Sequence, residues 1–514
     1  MAQWIIDELR FKSLIYEAKK TVTLHNGDVC KSDTIIPTEL TLQLRDACAE
    51  LKLGPLHSVE VIPGRRGREI NLIPFGLNPL VYGWSRILSD RVIGVDDAID
   101  AIGLGEVIPP RKEKGVTRED MAWKVASREG VRVKPYSTEY QMLPCDLQLG
   151  ADGQWKIASY INNLHPTSYQ WIYGVLERIF NASLSQWNAT LTPLKDMLHS
   201  RARIEYHKAN YYPVPKSIED TRPQYTEGGS ETDYDDRLKQ WRLEHYKAVQ
   251  PDVGKFRPWA VPIAMMYKLP ADLADPVRIE EGVNLNKEYG HKGLQMLFGL
   301  HDIQLSPEEP YYEVDWHIFG HLNEHITASA FILFDSDNVD DIYMSFRQMV
   351  ETESLNDIDH ELDDSVWLKQ VYGMNNGDPA VQEIGPVLLR KGRMVSYPST
   401  LQCRIGPFEL KDKSKPGHVT GLAMYMVDPN IRIISTANVP PQRIDWTREM
   451  ADLGPHRDDI TEFPEYLINR LLNRKGRFPF SLSEAEEMGT HLWDELMDFY
   501  KYQDVAFHSH TIQI

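Results

Sequence analysis

The fold class the sequence predicts is α+β, a double-stranded β-helix (jelly-roll, cupin-like) core braced by N-terminal, middle and C-terminal helices. Three observations carry it. Residues 255–450 run as the succession of short β-rich segments that a jelly roll needs. Within them, Ile326–Phe334 is too short, too apolar and too rich in β-formers for anything but a buried strand. On either side, apolar residues return at helical spacing.

In chain order, residues 1–150 read as helical and irregular chain wrapping the barrel. A first helix carries Phe11, Leu14, Ile15 and Ala18; a second, Thr38–Leu53, repeats Leu40, Leu44, Cys48 and Leu51 on one face, which makes Cys48 a core residue. The basic turn from Pro63 to Arg68 is a weak anion site at best, and 103–120 reads as an exposed loop. Residues 151–254 form a helical region. After Pro166 an apolar stripe of Ile172, Val175, Leu176, Ile179 and Phe180 marks a core-facing helix. Residues 213–236 lack periodicity and form an exposed loop, followed by a charged helix over about 235–249, on the surface or at the contact of a homodimer. The core, 255–450, includes a strand in FRPWAVPIAMMYKL and a solvated acidic run at 356–364. Residues 451–514 supply helices near 466–472 and after a Ser483/Glu486 capping box, the latter carrying Met488, Leu492, Leu496 and Phe499 and bracing the barrel from outside.

Composition narrows the partners. With 56 basic against 75 acidic residues the net charge is −19, which disfavours nucleic acid and anionic membrane surfaces. The first twenty residues place Asp7 and Glu8 inside the apolar pattern, against a secretory or transit signal, and no apolar run reaches a membrane span. Four scattered cysteines, without a C-x-x-C pair, predict reduced thiols and a cytoplasmic location. The N-A-S and N-A-T sequons at Asn181 and Asn188 then read as chance matches.

Two stretches, Tyr311–Phe346 and Gly392–Asp445, read as opposite walls of one pocket. His317, His321 and His325 stand four apart, which on a helix would put three imidazoles on one face. Gly320 and the period-two alternation of Tyr311, Glu313, Asp315 and His317 argue against that helix and place His317 at a strand end. Alternation also points Leu401, Cys403 and Ile405 to one side, so Cys403 shares the interior with His317.

The motifs DWHIFGHLNEHITASAFILFDSDNV, YPSTLQCRIGPFELKDKSKPGH and VDPNIRIISTANVPPQ, with SDTIIPTEL, NPLVYGWSRIL and IASYINNLHP, resemble a fungal family of unknown function whose fold is like that of iron/2-oxoglutarate oxygenases. Where relatives carry a Glu after the WH pair, a His after LQ and an Arg after KPGH, this chain has Phe319, Cys403 and Val419. The resemblance therefore implies no metal and no cofactor, because the groups that would hold iron and the 2-oxoglutarate carboxylate are gone.

Family members similar in lacking these ligands are hetero-Diels–Alderases of meroterpenoid biosynthesis. The expected activity is accordingly a cofactor-independent pericyclase reaction, a [4+2] cycloaddition that joins a tropolone o-quinone methide to a humulene-type sesquiterpene alkene. His317, His321, Asn323, Arg347 and Arg404 are the candidate catalytic hydrogen-bond donors; Phe319, Gln348, Tyr397, Gln402, Cys403 and Val419 are the candidate substrate-binding residues. Each donor has a structural alternative: Arg404 tying two strands, Asn323 capping a turn, Arg347 paired with Glu324. An oxygenase with a degenerate metal site, or a noncatalytic small-molecule binder, stays open beside the cycloaddition.

Overall fold

The computed structural model describes residues 2–25, 28–54, 58–62, 67–111, 135–195, 206–226, 230–256, 282–350, 352–361, 364–446 and 478–514. The strand expected in FRPWAVPIAMMYKL, the helix near 466–472 and most of the Pro63–Arg68 turn lie outside these residues.

Two antiparallel sheets dominate a mixed α+β architecture. The larger uses β1 (Val22–Leu24), β2 (Val29–Ser32), β3 (Glu60–Val61), β4 (Glu69–Asn71), β5 (Cys145–Leu149), β6 (Trp155–Ile157), β7 (Leu294–Leu305) and β8 (Ile326–Asp337). The smaller uses β9 (Ile342–Met349), β10 (Val381–Leu389) and β12 (Gln402–Ile405), while β11 (Met394–Pro398) and β13 (Gly417–Val427) return to the larger. The order of the large sheet is β1-β2-β11-β8-β13-β7-β4-β3, with β5 on the far end of β7 and β6 on β5; that of the small sheet is β10-β9-β12. Residues 22–157 thus add strands to the large sheet as well as wrapping it.

The period of two decides what each face of the large sheet does. Met296, Phe298 and Leu300 of β7, Ala328 and Ile332 of β8, and Leu422, Met424 and Met426 of β13 form one core cluster with helices α2 (Thr38–Leu53) and α3 (Gln170–Lys195). Their alternates, Ile303, Phe331, Leu333, Val419 and Ala423, pack against Ile342, Met344, Phe346, Leu389 and Cys403 of the small sheet. Leu40, Leu44, Cys48 and Leu51 are buried from α2 as the spacing predicts, and so is the α3 stripe. Asn181 of α3 is used internally: its amide clamps both backbone groups of Trp155 at 2.8 Å, a structural role for the sequon residue.

Helix α1 spans Ala2–Lys19 and buries Phe11. The charged helix α4 is Glu231–His245, four residues earlier than its charge pattern suggests, because Ser230 caps it by accepting from Asp233 N. The last helix, α5 (Leu482–Ser509), also starts early. Its capping box is Ser481/Glu484, not Ser483/Glu486. Phe480 is buried and its N–H donates to Gln442 O at 2.7 Å, which fixes the chain just before Ser481. Among the described residues no helix is long and apolar enough to cross a membrane.

Candidate functional site

A cavity of about 100 Å³ lies between the two sheets. The large sheet gives it Ile303, Phe331, Tyr397, Val419, Ala423 and Tyr425, and the small sheet gives Ile342, Met344, Leu389, Cys403 and Ile405. The segment from Tyr312 to Phe319 crosses one end. No helical three-histidine face forms there, since Gly320 (φ 84°) and His325 (φ 46°) are left-handed. His317 instead bridges to Cys403 through both backbone hydrogen bonds, at 3.1 and 3.0 Å, so the two side chains enter the cavity together.

His317 stacks obliquely on Tyr500, ring centroids 4.7 Å apart, and its Nδ1 lies 2.9 Å from the Asp315 carbonyl. A carbonyl oxygen only accepts, so Nδ1 carries the proton and the neutral ring presents a lone pair at Nε2. Donation from Nε2 therefore requires the imidazolium, a refinement of the donor role expected from sequence. Cys403 is a thiol at neutral pH, because burial pushes it up to about 11, and its Sγ–H donates to Tyr397 Oη at 3.1 Å. Phe319 stacks on Tyr425 at 3.7 Å, and Val419 is buried in the wall.

The other four expected donors stand outside the cavity. His321 is buried against Phe499, and burial brings it down to about 4. The Asn323 amide donates to the carbonyls of Ser137 and Tyr140 at 2.9 and 3.0 Å, holding a loop. Arg347 donates to Gln402 at 2.6 Å and pairs with Asp504, not Glu324, while its guanidinium and that of Arg404 each lie over the Trp316 ring, 4.7 and 4.6 Å from its centroid. Gln402 is consumed by Arg347, and Gln348 bonds Gln382 near the surface at 3.2 Å. Strand alternation explains these corrections: Gln402 and Arg404 flank Cys403 and point to the opposite side. Asn323→Ala is accordingly expected to lower the melting temperature, with about 1–3 kcal/mol lost by calorimetry, and to leave ligand affinity unchanged.

Sequence reasoning missed two contributions. One is α5, which is more than an external brace: Trp493, Met497 and Tyr500 close the cavity. It seats where Gly489 meets Gly76, since a Cβ on Gly76 would lie 2.2 Å from Glu60 Oε1 and 2.6 Å from Trp493 Nε1. Gln503 then clasps Ile318 by both backbone groups, at 2.7 and 3.1 Å. Only the tertiary contact reveals this, although the aromatic spacing Trp493/Tyr500 was a readable signal. The other is Glu69 with His301 and Tyr312, on strands too short or too mixed to stand out.

Two buried carboxyls sit around the site. Burial pushes Glu324, which accepts from Met142 N at 2.9 Å, and Glu60 up to about 7, whereas His321 and His165 fall to about 4. The stability of each protonated carboxyl is full below its usual 4.5 and is lost as pH rises through about 7. That of each neutral imidazole is full above its usual 6.5 and is lost as pH falls through about 4. Between these limits the slopes oppose. Glu324→Gln removes one of the falling contributions and is expected to make stability rise more with pH between 4.5 and 6.5 than in wild type, by on the order of 3 kcal/mol; calorimetry across that range checks it. An unchanged profile would contradict the assignment.

The residues do not fit the iron and 2-oxoglutarate that the resemblance brings to mind. Positions 317, 319 and 403 offer an imidazole, a stacked phenyl and a protonated thiol, and Val419 offers no charge to a carboxylate. Among the described residues no group of three His, Cys, Asp or Glu is placed to hold a metal ion.

Residues 1–450 match the family described as a protein of unknown function (DUF4246), and the chain belongs to that family. No curated protein matches it. Among solved structures, it is similar to a selenomethionine-labelled Fe(II)/(alpha)ketoglutarate-dependent dioxygenase, TqaL, at 12% identity over 34% of this chain and 56% of that one, with a TM-score of 0.19. A bsmA homolog from Methylobium petroleophilum PM1 matches at 9% identity over 66% and 95% of the two chains, TM-score 0.19. EvdO2 from Micromonospora carbonacea var. aurantiaca matches at 10% over 26% and 52%, TM-score 0.14. The chain thus spans about half the length of TqaL and of EvdO2.

Proposed function

We propose that the chain is a jelly-roll enzyme of the cytosol that acts on an apolar organic substrate bearing oxygen, by a cycloaddition needing neither metal nor redox cofactor. The two facing antiparallel sheets support the jelly-roll reading, and four buried unpaired thiols support a reducing compartment. The observation that carries the functional reading is the single constellation His317, Phe319, Cys403 and Val419. The His317 imidazole is set beside apolar Phe319, Cys403 and Val419, which suits orienting a neutral organic molecule more than binding an ion. The specific reaction proposed is hetero-Diels–Alder coupling of a tropolone o-quinone methide with a humulene-type alkene. Holding both partners in one geometry can contribute about 7–11 kcal/mol.

Size sets a condition on this reading. A cavity of about 100 Å³ is smaller than the ~150 Å³ that takes benzene and the ~300 Å³ at which drug-sized pockets begin, so both substrates enter only if the cavity enlarges, and α5, which closes one side, is the element whose displacement would do so. The test is to incubate purified protein with the two partners and separately with iron and 2-oxoglutarate. Cycloadduct above the uncatalysed background is the expected result. Succinate release would turn the reading to an oxygenase, and saturable binding without product to a noncatalytic binder.

A further inference from the structure

The cavity contains a second polar group, opposite in character to its apolar walls. His301 of β7 directs Nδ1 at Glu69 Oε1 of β4, 3.0 Å away, and the other oxygen of that carboxylate accepts from the Tyr312 hydroxyl. Register places this pairing in the sheet itself, since Asn71 lies opposite His301 and Glu69 opposite Ile303. All three side chains line the cavity. The second ring nitrogen, His301 Nε2, is buried and has no hydrogen-bond partner among the described residues. Gly299, two residues earlier on the same face, lets the Phe75 ring of the cavity wall pack beside His301, for a Cβ there would lie 2.5 Å from Phe75 Cε1 and 3.0 Å from Nε2.

A buried unsatisfied polar atom costs about 1–3 kcal/mol, so an orphaned nitrogen on a residue that lines a cavity is a place where a ligand's polar hydrogen can be received. Its chemistry follows from Glu69. The carboxylate, already accepting from Tyr312, holds Nδ1 as the protonated nitrogen and leaves Nε2 with its lone pair outward. That is the arrangement in which a carboxylate fixes an imidazole tautomer.

We propose that His301, oriented by Glu69 and Tyr312, is the acceptor for an acidic hydroxyl, phenolic or enolic, of the molecule this cavity binds. The inference rests on the reading of the cavity as a site for apolar organic molecules and names the substrate class more narrowly. The hydroxyl hydrogen bonds to Nε2. Where the proton transfers, the O–H bond breaks, Nε2 gains the proton, and the oxyanion stays hydrogen-bonded to an imidazolium that Glu69 neutralises. No other reactant is required. His317, which bridges to Cys403 of the small sheet, and His301, on the large sheet, then contact a ligand from different walls.

The experiment uses phenol and toluene, two probes of nearly equal shape that differ in the hydroxyl, titrated into the full chain by calorimetry or ligand-observed NMR. Each ring is larger than the cavity at rest, so both probes require the same enlargement that the proposed substrates do, and Met497, a thioether in the wall, is the most readily moved lining side chain. The readout is the ratio of phenol to toluene affinity, which a merely structural role would not move. His301→Phe is expected to lower that ratio about tenfold while toluene still binds. Glu69→Gln, which keeps the shape but frees the other tautomer, is expected to lower it as well, and it stands in if the first variant does not fold. An unchanged ratio in the folded variants overturns the assignment of His301 and leaves the cavity reading intact. If wild-type protein binds neither probe, the cavity reading falls and this proposal with it.

Discussion

Trp493→Ala is expected to cost about 3–5 kcal/mol of stability and to open the cavity to solvent. The indole is 5% exposed and fills the end of the cavity from α5, so its loss leaves a void that neighbours anchored on two sheets cannot close. It also donates from Nε1 to Glu60 Oε1 at 2.8 Å. Glu60 is a carboxyl that burial has already pushed up to about 7, and without this donor it loses a compensating hydrogen bond. Trp493→Phe separates the two contributions, since it keeps most of the packing and removes only the donor. Denaturant unfolding of the three proteins on one scale is the measurement. Equal stabilities would mean that α5 does not seal the molecule as described.

His317→Ala is expected to slow product formation by about tenfold to a thousandfold while the melting temperature barely moves. The ring is half-buried, lines the cavity and bonds the Asp315 carbonyl only two residues away, a local contact whose loss costs the fold little. Because that carbonyl fixes the proton on Nδ1, donation to a substrate oxygen needs the doubly protonated ring. Wild-type turnover limited by this donor should then fall as pH rises, and His317→Ala should lose the dependence. A flat profile in wild type with slow turnover in the variant would leave His317 as a lone-pair or shape contact. Unchanged turnover per folded molecule would remove it from the mechanism.

Much of the fold could be read from periodicity, and the limits of that reading are physical. Helix α2 matches its spacing end to end because Leu40, Leu44, Cys48 and Leu51 all bury one face. Strand β8 is legible for a different reason, since Ala328–Phe334 is buried on both faces and therefore almost continuously apolar. The start of α5 was not legible, because two overlapping S-x-x-E patterns compete and the burial of Phe480, a tertiary fact, selects the first. At the site, alternation correctly joined His317 with Cys403. It did not assign Arg347, Arg404 and Asn323, polar residues next to the wall whose partners lie far away in sequence, at Asp504, Trp316 and Ser137. A sequence marks a polar group near a pocket, but whether it serves a ligand or the scaffold depends on what packs behind it. Glu69 and His301 were missed for the converse reason: 232 positions separate them, and only the pairing of β4 with β7 makes them one group.

Helix α5 has a further consequence in the order of events during synthesis. The sheets, with nearly all of the cavity's walls, are complete once residue 427 has been made, while Trp493, Met497 and Tyr500 follow later and lie beyond the 1–450 span that defines the family. Until they emerge, the apolar gap between the sheets is an open trough, the kind of exposed surface through which nascent chains aggregate. A hydrophobic small molecule that occupied that trough would shield it and be enclosed as the helix docks. Protein made in its presence should then fold in higher yield than protein given the same molecule afterwards.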